Sequence, residues 1–346
     1  MLNVNRPPIK NEIVLPMATE TLLSDSINAI PLSVIQADER NLLPLILSNY
    51  TNIQKGKYPH AEYNHVENDL WLLKSKVMKR HQFVFHKEQY QKDYATLLQL
   101  ILSFVSEGYY LSGKANDKYI SAKAAYDCYD TNTIYLIHGY NLKDQIFYAA
   151  GKTKNKVFEK YTISFEEYFN AIFNRWKPTF DLNFIKAGEL NKAKFNYSKF
   201  HDGILDYLNS RNRSDGIIPE GNAMKYIYGI ECYKDFAQNL MYIQESREYI
   251  EPENYLIFLE HHKVIHRAIE LLEVQNHIAF ETIILESQEI CNLSERIYSS
   301  CLSYNILHFS AQIKTIVNDV NSIINKEITL LYKVIEKLKT IDSDSD

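Results

Sequence analysis

The chain has 346 residues, 46% of them hydrophobic and 23% charged, with a formal net charge of −5 at neutral pH. That length holds two ordinary domains, and that balance is globular rather than disordered. The mild acidity comes with no basic block, which argues against a nucleic-acid backbone as main partner, and no apolar run has the length of a bilayer span or the form of a signal peptide.

Met1 to Lys10 shows no periodicity. The first helix signal is Ser24-Asp25-Ser26, residue types that cap helix starts by accepting orphan backbone N–H bonds. Pro31 fits poorly inside a helix that starts at Ser26 and would move the start toward Ile30. His60, His65, His81 and His86 follow in a polar region without regular partners and read as surface residues.

From Thr133 to Tyr140 (TIYLIHGY) the pattern is that of a short strand, with Ile134, Leu136 and His138 on one face and Tyr135 and Ile137 on the other. Gly139 lets the backbone run close to its neighbours, Asn141 to Asp144 has the composition of a hairpin turn, and Ile146 to Ala150 forms the next strand. His138 is the candidate general base: imidazole changes charge near neutral pH, and a strand holds it more rigidly than a loop. A structural histidine is the competing reading of the same residue. Glu166 and Glu167 are adjacent and point differently on a helix, so paired-carboxylate chemistry is not indicated.

The character changes near residue 180, after which strand signals fade and helices lengthen. Lys177 to Lys194, punctuated by Pro178 and Gly188, is the expected break, dividing the chain into domains 1–180 and 181–346. Arg211 to Asn222 reads as a loop. Beyond Pro252 apolar stripes run through Phe258–Leu272, through Ile283, Ile290 and Ile297, and through Ile313–Leu338, the pattern of a helical bundle. His262 and His266 are spaced for one helix face, but His262 lies in the stripe and no third ligand accompanies them, so a core histidine is expected and no metal. Neither a phosphate loop nor a dinucleotide fingerprint is present, so no cofactor is expected. Cys128, Cys232, Cys291 and Cys301 are scattered without CxxC spacing, which points to a reducing, cytoplasmic compartment.

The run GYYL, DKYI, IYLIHGYN and IFYAAG, with Ile163 to Phe169 (ISFEEYF) and the later LEHHKVIHRAIELL, resembles the family named after butirosin biosynthesis protein H, from roughly Leu22 to Leu338. The amide-forming enzyme of closthioamide biosynthesis is a similar papain-like case. The resemblance implies an α+β fold, with a papain-like N-terminal domain and an α-helical C-terminal domain. It implies acyl transfer or amide-bond formation in natural-product biosynthesis, on an acyl group held as a phosphopantetheine thioester by an acyl or peptidyl carrier protein, with an amine as acceptor. The family's nucleophile is a cysteine at a helix start, where orphan N–H groups favour a thiolate. The matching stretch here is Asp25-Ser26-Ile27-Asn28, so Ser26 takes the cysteine position. A natural serine variant, an engineered change from cysteine and a loss of catalysis are all open readings, beside a simple cap. His138 matches the family's base. Its aspartate position falls on Gly151, and Asn155 is the nearest residue able to hydrogen-bond the imidazole. The chain therefore reads as an acyltransferase acting through Ser26, His138 and Asn155, or as a catalytically silent scaffold that keeps the fold and the carrier contact.

Overall fold

The computed structural model describes residues 9–18, 26–35, 44, 47–48, 50–56, 63–65, 78–90, 94–155, 158–188, 195–211, 226–246, 248–276 and 279–343. The strands in chain order are β1 (Glu12–Val14), β2 (Ile53–Gly56), β3 (Tyr63–His65), β4 (Met78–His86), β5 (Tyr110–Asn116), β6 (Asn132–Asn141), β7 (Ile146–Lys152), β8 (Phe158–Ser164), β9 (Thr179–Ala187) and β10 (Tyr226–Tyr228). The helices are α1 (Ser26–Ile35), α2 (Ala95–Ser106), α3 (Phe165–Phe173), α4 (Tyr197–Leu208), α5 (Ile230–Ser246), α6 (Pro252–Asn276), α7 (Glu281–Leu307) and α8 (Ser310–Ser343). The fold is mixed α and β, with antiparallel sheet and helices toward the C-terminus. Two compact units emerge: Met1–Arg40 with Asp69–Lys192, and Asn41–Asn68 with Ala193–Asp346.

In the first unit, the described residues form a seven-stranded antiparallel sheet in the order β4-β9-β5-β6-β7-β8, with β1 also paired to β6. Its core is aromatic. Tyr135, Ile137, Phe147, Phe180, Leu182 and Phe184 from the strands pack with Leu97, Ile101 and Val105 of α2 and Tyr168, Phe169 and Ile172 of α3. Helix α3 starts where it does because Ser164 and Glu167 form a capping box. The Ser164 hydroxyl accepts from the Glu167 N–H at 3.1 Å, and the Glu167 carboxylate accepts from the Ser164 N–H at 2.9 Å. Helix α1 packs against β6, β7 and β9. It begins at Ser26 and carries Pro31 in its interior, rather than starting near Ile30.

The expected break at 180 falls inside β9. That strand pairs along its length with β4 and is tied to β5 by Tyr110↔Ile185 and its neighbours, so the first unit extends to Lys192. Strands also continue past 180, and residues 41–68 belong with the helices that follow.

In the second unit, β10, β2 and β3 form a small antiparallel sheet, and α6 packs on α7, α7 on α8, and α8 against α5. The α8 stripe is buried at Ile313, Val320, Ile324, Leu331, Ile335 and Leu338. Among the described residues no helix is long and apolar enough to cross a membrane.

Candidate functional site

Strand β6 changes partners at His138. On one edge β5 pairs with Asn132 to Ile137, and β1 takes over from Gly139 to Asn141. On the other edge Ile137 faces Ala149 and Gly139 faces Tyr148, which leaves His138 as the extra residue of a β-bulge. The bulge resets the alternation, so Tyr140 rejoins Tyr135 and Ile137 in the aromatic core, while Leu136 and His138 are buried outside it. The buried Ala29, Ile30, Leu32 and Val34 of α1 also lie outside that core, and α1 covers the face that carries His138. The His138 and Tyr148 rings lie side by side there, 6.2 Å between centroids.

Gly139 is required by the neighbouring strand. A Cβ on it would stand 2.2 Å from the Ile13 carbonyl oxygen, so any other residue would push β1 away. Leu15 then extends the ladder one step beyond β1. Its N–H donates to the His138 carbonyl at 2.7 Å, and its own carbonyl lies 3.2 Å from His138 Nδ1. The following Pro16 accepts from the Tyr110 hydroxyl, and the Ala18 N–H donates to the Ser33 carbonyl of α1 at 3.0 Å.

His138 is only 3% exposed. Burial lowers its pKa from 6.5 to about 4, with the Leu15 carbonyl acting in the opposite direction and the Lys160 charge adding to the fall. The ring is therefore neutral through the usual working range, with one nitrogen free to take a proton.

The other expected members stand as follows. Ser26 opens α1, but its side chain lies outside the described residues. Asn155 sits in the turn after β7, where its side-chain amide donates to Glu159 at 3.0 Å and its N–H donates to the Thr153 hydroxyl at 3.2 Å. From Ala149, beside the bulge, the strand runs roughly 10 Å to Lys152 before that turn begins. Among the described residues no side-chain carboxylate or amide hydrogen-bonds to His138. Gly151 shares the face of Phe147 and Ala149 and looks toward Lys123 Nζ and the Ile134 carbonyl. An aspartate at 151 would point away from His138. Glu12, the carboxylate on β1, is taken by the Tyr148 hydroxyl. Sequence reasoning missed Leu15, Pro16 and Tyr110. The one available signal was Leu15-Pro16 itself, because a residue before proline is confined to extended backbone.

In the second unit His261, His262 and His266 are buried among its helices. His261 Nε2 donates to Glu327 at 3.1 Å, Tyr207 donates to the same carboxylate at 2.5 Å, and His262 Nε2 lies 3.4 Å from it and 2.8 Å from the Tyr233 hydroxyl. Burial raises the Glu327 carboxyl, but the charge of His262 and the hydrogen bonds of His261 and His262 outweigh it and hold the group well below the usual carboxylate range. His266 pairs with the Ser287 hydroxyl at 2.8 Å. Among the described residues no group of three or more His, Cys, Asp or Glu side chains is arranged to hold a metal ion.

No protein-family model matches the sequence, and no curated protein matches it. The site thus rests on its own geometry.

Proposed function

We propose that the chain is a papain-like acyltransferase of natural-product biosynthesis, in which the residue at position 26 accepts an acyl group from a carrier-protein thioester and His138 moves the proton. The observation that carries this reading is a buried, neutral imidazole, set at a β-bulge on the sheet face covered by α1, the helix that Ser26 opens. The Ser26 hydroxyl adds to the thioester carbonyl while His138 takes its proton, the C–S bond breaks, and the imidazolium returns the proton to the departing phosphopantetheine thiolate. An amine then adds to the new ester, the C–O bond breaks, and the proton from nitrogen passes through His138 back to the serine oxygen. Backbone N–H groups at the start of α1 stabilise the oxyanion in both steps. A cytoplasmic setting accords with four free cysteines, three of them buried.

A base with a pKa near 4 is a poor match for a serine hydroxyl, which hardly ionises by itself, so the serine form is expected to turn over slowly. The same weakness favours the second reading, a scaffold that binds the carrier without chemistry. Intact-mass measurement after mixing with acyl-loaded carrier protein separates the two. Ser26→Cys should gain the acyl mass and lose it to an added amine, the native chain should acylate far more slowly, and Ser26→Ala not at all. Carrier binding with no adduct on any form would favour the scaffold.

A further inference from the structure

We infer that the orienting partner of His138 is the main-chain carbonyl of Leu15, which fixes the proton on Nδ1 and makes Nε2 the reactive nitrogen. The inference deepens the acyl-transfer reading and rests on it for the role of His138 as base. A carbonyl oxygen can only accept, so the 3.2 Å contact demands an Nδ1–H donor, and the lone pair is left on Nε2. In a triad this task falls to a carboxylate or an amide side chain. Here Asn155 is engaged with Glu159, Glu12 with Tyr148, and position 151 lies on the opposite face of β7.

Several independent features aim the Leu15 carbonyl. Pro16 confines Leu15 to extended backbone. The β1 register against β6 and the bond from Leu15 N–H to the His138 carbonyl lock its position along the strand. The Tyr110 hydroxyl holds the next carbonyl, and Gly139 supplies the space that lets β1 come so near. An acceptor built from four such constraints is as rigid as a side chain and needs no side-chain entropy to be fixed. It differs from a carboxylate in one respect. Being neutral, it sets the tautomer without strongly stabilising the imidazolium, so the histidine is well aimed but weakly basic.

The test is made on the full chain without substrate. Isotopic labelling of the histidine ring nitrogens, with His138 identified by the signal lost in His138→Gln, reads its tautomer by NMR. The expected result is Nδ1–H at neutral pH, and Nε2–H would overturn the proposal. Tyr110→Phe frees the Pro16 carbonyl, and the more severe Gly139→Ala forces β1 from β6. Either should raise the Nε2–H population and slow acylation of the Ser26→Cys chain roughly tenfold. A tautomer unmoved in the folded Tyr110→Phe chain also sinks the proposal. Since the tautomer is read without acyl donor, failure of Ser26→Cys to acylate counts against the acyl-transfer reading alone.

Discussion

At the scale of single residues, the strand-end histidine was readable in TIYLIHGY, and so was the need for glycine after it. What the alternation could not convey is the bulge, because an extra residue leaves no mark in a hydrophobic pattern. Asn155 reads as a partner from its ability to hydrogen-bond, yet Glu159, four positions on, takes its amide. The depressed pKa of His138 has a consequence for stability. Above pH 6.5 the group is neutral both folded and unfolded. Between 6.5 and about 4 the unfolded chain binds a proton that the folded chain refuses, so stability falls as pH falls, and below about 4 the loss levels off. His138→Gln should remove up to about 1.4 kcal/mol per pH unit of that slope, measured by urea unfolding across the window. An unchanged slope would mean that the imidazole titrates normally in the fold.

At the scale of elements, β9 shows how a strand can hide. Phe180, Leu182 and Phe184 alternate into the core with Asp181 exposed between them, but Pro178 and Gly188 on either side read as a linker. Proline before the strand and glycine after it serve as its ends. Helix α8 hid something different. Its stripe was plain from sequence, while Glu327, inside that stripe, is a charge whose partners sit as far as 120 residues earlier in the chain. Breaking one side of a buried ion pair leaves the other uncompensated, so Glu327→Gln should destabilise the chain by roughly 3 kcal/mol in denaturant titrations near neutral pH. Because the folded carboxyl is held below 4.5, its stabilisation is complete above that value and fades as pH falls further. The destabilisation caused by Glu327→Gln should therefore shrink in acid.

At the scale of the whole molecule, an α+β chain with helices toward its end was legible, because long amphipathic stripes and short aromatic strands differ in period. The path of the chain was not. Residues 41–68 leave the first unit to supply β2 and β3 to the second, where Lys55 and Tyr63 both bind Asp235. A cut at 180 would remove β9 from between β4 and β5, and the resulting 1–180 fragment is expected to lose its tertiary amide dispersion in NMR spectra. A well-dispersed spectrum from that fragment would mean that β5 to β8 suffice as a sheet.

The tie between Leu15 and His138 joins positions 123 residues apart. Closing so long a loop costs chain entropy that must be met before the contact returns anything, which puts this pairing among the slower events of folding. Until β1 and α1 close over it, the imidazole stays hydrated and should take up a proton as readily as a histidine in an unfolded chain. In a refolding experiment begun at mildly acid pH, release of that proton would time the burial of this face of the sheet.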